Sequence, residues 1–180
     1  GLHNMPGIPV GHFAIREGGI MAAADEFEIT VTGKGGHAAM PHNAVDPVPV
    51  ACQLVQGFQT IISRNKKPID AGVLSVTMIH TGEATNVIPD FCEIQGTVRT
   101  FTLDVLDMIE ARMREMTANL CAAFGCTSEF EFDRNYPPTI NTAAEAEFAR
   151  QVMQDLVGPE RVSDQEPTMG AEDFSYMLQA

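Results

Sequence analysis

Tryptophan is absent from this 180-residue chain, cysteine occurs 4 times, and lysine and arginine total 11 against 24 aspartates and glutamates. Each scarcity removes a class of function. The formal charge of -13 repels phosphate backbones and anionic headgroups, which argues against nucleic acid and membrane surfaces as partners. No apolar run approaches the length of a membrane span. The opening Gly1-Leu2-His3-Asn4-Met5-Pro6 has neither a basic start nor an apolar stretch, so it does not read as a signal peptide. An initiator methionine is also missing, and the natural N-terminus is expected upstream. Cys52, Cys92, Cys121 and Cys126 form no Cys-x-x-Cys pair. Each falls within or beside an apolar pattern, which predicts buried free thiols in a reducing compartment, the cytoplasm by default, rather than disulfides or a zinc knot. The His-Glu-x-x-His, Gly-x-Ser-x-Gly and phosphate-loop signatures are missing as well.

What is present is a regular succession of apolar patterns. Phe27, Ile29 and Val31 alternate with Glu28 and Thr30 in a half-buried strand over 26–32, ended by Gly33-Lys34-Gly35-Gly36. Asp46-Pro47 offers an N-cap and a proline at the first helical position. Ala51, Leu54, Val55, Phe58, Ile61 and Ile62 then recur at helical spacing and stop before Pro68. A second strand is predicted over 73–80 with Leu74, Val76 and Met78 on one face. A third runs over 91–100, with Cys92, Ile94 and Val98 opposed to Glu93, Thr97 and Arg99. Thr102 can cap a helix whose stripe runs from Leu103 through Leu106, Ile109, Met113, Met116 and Leu120 to Phe124, closed by Gly125. A fourth strand over 128–133 points Phe130 and Phe132 inward. The order is βαββαβ, the split βαβ pattern of ferredoxin-like domains, with two helices on one face of a four-stranded sheet.

The flanks behave differently. Residues 1–19 are rich in glycine and proline and show no period. After Pro137-Pro138, Asn141 and Thr142 open a helix with a Thr-x-x-Glu capping box at Glu145, carrying Phe148, Val152 and Leu156 up to Gly158-Pro159. Both flanks read as parts of another domain into which the central unit is inserted. The fold class is therefore α+β, with 1–22 and 139–180 belonging to an incomplete α/β domain and 23–138 to the insertion.

Three polar residues stand where the pattern breaks. His37 follows the glycines and precedes Ala38-Ala39, an arrangement that would leave room for a ligand near the ring. Asn86 lies in the loop between the second and third strands, and Arg99 projects from a polar strand face. An imidazole, an amide and a guanidinium suit an anionic or carbonyl-bearing ligand if they converge, although solvated arginines and turn asparagines are common.

Five segments occur in order: Gly1-Leu2-His3-Asn4-Met5-Pro6-Gly7, Gly33 to His42, Asn86-Val87-Ile88-Pro89-Asp90, Gly96 to Phe101, and Met169-Gly170-Ala171-Glu172-Asp173-Phe174. Together they resemble the zinc-dependent aminoacylase and carboxypeptidase family of metallopeptidases, nearest the branch of hippurate hydrolase, N-acyl-amino-acid amidohydrolases and plant auxin-conjugate hydrolases. The resemblance implies a ferredoxin-like lid that mediates homodimerisation, inserted in a metal-binding α/β domain. It implies that His3 is a metal ligand and that His37 reaches the neighbouring subunit's active site to steady the oxyanion. Asn86 and Arg99 match positions that hold the substrate carboxylate. His42 is read as a structural loop residue, and His12 and His80 receive no role. The implied reaction is metal-assisted hydrolysis of an N-acyl or N-aroyl amino acid or related amide, with two divalent ions, zinc or manganese. The other ligands and the general-base glutamate have no counterpart here, so this chain alone is expected to be inactive and to bind zinc weakly at most. A non-catalytic ferredoxin-like dimerisation or ligand-binding module is the alternative.

Overall fold

The computed structural model describes residues 1–179. In chain order its strands and helices are β1 (Phe13–Ile15), β2 (Gly18–Met21), β3 (Ala24–Thr32), β4 (Gly36–His37), α1 (Pro47–Thr60), β5 (Gly72–His80), β6 (Val87–Ile88), β7 (Phe91–Thr100), α2 (Leu103–Ala123), β8 (Thr127–Tyr136), β9 (Thr139–Asn141), α3 (Ala143–Val157) and β10 (Val162–Asp164). They form two compact units, one spanning Asp25–Asn135 and the other made of both flanks.

In the central unit β3, β5, β7 and β8 build one sheet in the order β5-β7-β3-β8. β7 pairs antiparallel with both β3 and β5. With α1 and α2 as the crossovers, this is the ferredoxin-like arrangement the periodicities predict. The Asp46 carboxylate accepts from the Val48 amide at 3.0 Å and caps α1, a contact of about 1 kcal/mol. Beyond Thr60 the helix widens into a π-turn over Ile61–Asn65. Phe27, Ile29 and Val31 of β3 meet Leu54 and Phe58 of α1 and Leu106, Ile109 and Met113 of α2 in the buried core. Each such side chain contributes roughly 1.5–3 kcal/mol by leaving water. The Phe27 and Phe58 rings pack edge to face at 6.3 Å.

Several local expectations need correction. Met78 does not share the buried face with Leu74, because a register shift between Val76 and Met78 turns the end of β5 outward. Leu103 and Phe124 lie exposed at the ends of the α2 stripe, whose buried line instead takes in Val105, Thr117 and Cys121. Thr102 stands at the N-cap of α2 but its hydroxyl caps nothing. Phe130 and Phe132 are only half-buried, with the Arg114 guanidinium 4.5 Å over the Phe130 ring. All four cysteines are free, yet Cys52 is exposed.

In the flanking unit β1 pairs parallel with β10, Phe13 opposite Val162, and β2 pairs antiparallel with β9, Gly18 opposite Asn141. The aperiodic stretch over 1–19 thus contains one strand and part of another. Each has only three or four residues, and partners over a hundred positions away, so no local alternation announces them. At the start of α3 the Thr142 hydroxyl bonds the Glu145 carboxylate instead of a backbone amide, so the capping box is not closed. Among the described residues no helix is long and apolar enough to cross a membrane.

Candidate functional site

His37 and Asn86 are brought together by a two-residue ladder. β4 pairs antiparallel with β6, placing Gly36 opposite Ile88 and His37 opposite Val87. The Ala38 amide donates to the Asn86 carbonyl at 2.9 Å. Two of the glycines before His37 are required by this packing. A Cβ at Gly33 would lie 2.1 Å from the Val45 carbonyl oxygen, and one at Gly35 would lie 2.8 Å from that of Ile88. The loop is pressed between two backbones that only glycine admits.

The His37 ring is exposed but oriented. The Ala39 amide donates to its Nδ1 at 3.1 Å. An Nδ1 that accepts a hydrogen bond carries no proton, so the neutral imidazole bears its hydrogen on Nε2. The chain therefore presents an exposed Nε2–H donor, a group suited to a carbonyl oxygen gaining charge, while Asn86 lies opposite Ala38 on the paired segment. His42 sits in the short turn Pro41–Asn43 that follows.

Arg99 does not join them within one chain. It lies eight residues along β7 from Phe91, the end next to the His37 ladder, which is roughly 26 Å at strand rise. One of its terminal nitrogens, Nη1, donates to the carbonyls of Val98 at 2.9 Å and Asp25 at 3.4 Å and to the Thr97 hydroxyl. The edge formed by Nε and the other terminal nitrogen has no protein partner among the described residues. That edge is the fork a carboxylate accepts.

His3 belongs to the flanking unit. Its Nε2 contacts the Glu172 carboxylate directly, across a sequence separation of 169. Glu172 lies in the Met169-to-Phe174 segment, and nothing local in the sequence links it to His3. The Phe174 amide, with Asp173 and His3, holds the Glu172 carboxyl below its usual range. An imidazole nitrogen and a carboxylate are both ligands for a divalent ion, but a stable site needs three or four. No group of three histidine, cysteine or acidic side chains able to hold a metal occurs among the described residues. The pair fits part of a metal site and leaves the rest unsupplied.

Residues 23–124 match the M20 peptidase dimerisation domain. The chain belongs to the M20 peptidase family. Over 99% of its length it is 39% identical to N-acetyl-L-cysteine deacetylase of Bacillus subtilis, covering 42% of that protein. It is 37% identical over 99% of its length to IAA-amino acid hydrolase ILR1-like 2 of Arabidopsis thaliana, covering 41% of it. The crystal structure of a dinuclear metal-binding M20 peptidase from Bacillus subtilis superimposes with a TM-score of 0.80 at 29% identity, over 98% of this chain and 44% of that one. The chain thus spans under half the length of the M20 relatives it matches. Its relatives are amidohydrolases and peptidases, and the α+β architecture with the dimerisation fold is theirs.

Proposed function

We propose that the protein carrying this chain is a metal-dependent amidohydrolase that cleaves N-acyl or N-aroyl amino acids or related amides, and that the central unit is its lid and homodimer interface. The observation that carries the reading is the oriented Nε2–H of His37, held on a ladder whose neighbouring backbone bond joins Ala38 to Asn86. In this reading the imidazole donates to the carbonyl oxygen as the tetrahedral intermediate forms, and Asn86 assists in holding the substrate. The free fork of Arg99 binds the substrate carboxylate. Because Arg99 lies eight residues along β7 from the strand end next to the His37 ladder, a length of roughly 26 Å, a second subunit would supply one of the two to a shared site. His3 and Glu172 would hold part of a metal centre of two ions, zinc or manganese, the flanks over 1–22 and 139–180 being pieces of the metal-binding domain. Metal, when bound, polarises the amide carbonyl and acidifies water. The free thiols suit the cytoplasm.

Subunit mixing tests this reading. His37→Ala should lower kcat by about a hundredfold or more, as loss of an oxyanion donor does. Arg99→Ala should chiefly raise KM for substrates with a free carboxylate. Mixed and re-equilibrated, the two variants form heterodimers with one intact site, so activity at substrate well below the raised KM of Arg99→Ala should recover to about a quarter of wild type at most. A His37→Ala enzyme with normal kcat, or a mixture no more active than its parts, overturns the proposal.

A further inference from the structure

We propose that Asp90 is a positioning residue for His37, fastening through both its carboxylate and its carbonyl the loop that aims the imidazole. The Gly35 amide donates to Asp90 Oδ1 at 2.8 Å, and the Gly33 amide donates to the Asp90 carbonyl at 2.8 Å. Asp90 immediately precedes β7, so these two bonds tie the loop to the end of the four-stranded sheet. On the other side, Lys34 and Val45 exchange amide–carbonyl bonds at 2.8 Å in each direction. His37 follows two residues after Gly35.

The need for a side-chain fastening comes from the shortness of what holds His37. β4 and β6 pair over two residues each. A ladder that short is marginal, and a slip by one residue turns every side chain to the opposite face. The remaining ties along this edge are backbone to backbone: the Gly36–Ile88 and His37–Val87 pairs and the Ala38 amide on Asn86. Gly35 is held by a carboxylate, and a bond to an ionised acceptor is about twice as strong as a neutral one. The fit is close as well as charged, since a Cβ at Gly35 would lie 3.0 Å from that same Oδ1. Asp90 makes no hydrogen bond to His37 or Asn86 among the described residues, and its hold on the imidazole runs through the loop. Its chemistry is that of an acceptor, so an amide oxygen in its place should serve nearly as well, and a methyl group should not.

The inference rests on the reading of His37 as the oxyanion donor, and two readouts separate them. Nitrogen-15 spectra of the histidines in the 180-residue chain report the tautomer without any reaction, with His37→Ala identifying the signal. Wild type should show His37 with an accepting Nδ1 and a protonated Nε2. Asp90→Ala should shift that signal toward the averaged pattern of a free imidazole, and Asp90→Asn should restore it. In the whole enzyme Asp90→Ala should lower kcat about tenfold with little change in KM, a cost of misplacement smaller than that of losing the imidazole. Asp90→Asn should stay within about threefold of wild type, and Asp90→Ala should add nothing to His37→Ala if both act through one group. An unchanged His37 signal in Asp90→Ala, or Asp90→Asn as damaged as Asp90→Ala, overturns the positioning role. If His37→Ala keeps full kcat while Asp90→Ala still moves the tautomer signal, the positioning stands and the functional reading falls.

Discussion

Among single residues, Asp25 stands apart because it is charged chemistry placed on the covered side of the sheet. It is 1% exposed, shares a face with Phe27, Ile29 and Val31, and leaves Oδ2 without a partner. Burial pushes its carboxyl from the ordinary 3.8 up to about 6, against the opposing pull of Arg134, Arg99 and the Asn135 amide and with a small addition from Glu110. Glu110 shows the contrast: burial opposes its ionisation too, but hydrogen bonds from Arg134 and Arg114 hold it below the usual range. A raised carboxyl binds its proton more tightly in the fold than in the unfolded chain. Its contribution to stability is whole below about pH 4 and is lost as pH rises through about 6. Asp25→Asn keeps an acceptor for Asn135 and removes the ionisation. It should therefore stabilise the chain at pH 7, by an amount on the order of 2 kcal/mol, with the gain vanishing near pH 4. Thermal melts of both proteins at the two pH values check this. A variant less stable than wild type at pH 7 would mean the ionised carboxylate has a partner that the geometry does not reveal.

At the scale of elements, β5 is an edge strand of the sheet, and its outward end is apolar. Met78 and Ile79 are 44% and 49% exposed, and Phe91 on the neighbouring strand is 49% exposed. An edge with unpaired backbone and apolar side chains is a pairing surface unless something covers it. If the homodimer of the proposal forms through this edge, Ile79→Lys should convert it to monomer while leaving the far-ultraviolet spectrum unchanged. Sedimentation velocity over a range of concentrations measures this, and an intact dimer would move the interface elsewhere. Most of the elements here were legible beforehand because each carries its own period: the alternation in β3 and β7 and the helical stripes of α1 and α2 need no knowledge of the partner. β1, β2, β4, β6, β9 and β10 were not, since strands of two to four residues exist only through pairing. The outward end of β5 was also hidden, because a one-residue bulge reverses the faces without altering the composition. The candidate site divides in the same way. His37 and Asn86 stand out as breaks in pattern, while Asp90 and Glu172 gain meaning only from contacts 55 and 169 positions away.

For the whole molecule the two units differ in what supports them. The central one encloses a continuous core drawn from all four long strands and both helices, and its length exceeds that below which domains usually need metal or disulfide to fold. The flanking one is held by two-stranded pairings and α3, whose Phe148, Val152 and Leu156 are 72%, 42% and 72% exposed along one side. Such a face contributes nothing to stability while it stays in water, so the elements bearing it should open at lower free energy than the sheet does. Limited proteolysis of the 180-residue chain with a broad-specificity enzyme should therefore cut first in α3 and in the segment before β1. A resistant fragment close to Asp25–Asn135 should remain, identified by intact mass. Because that fragment retains β5 and its apolar end, it should still dimerise with rising concentration. Early cleavage inside α2, or flanks as resistant as the core, would show that stability is shared across both units and that the central one does not fold on its own.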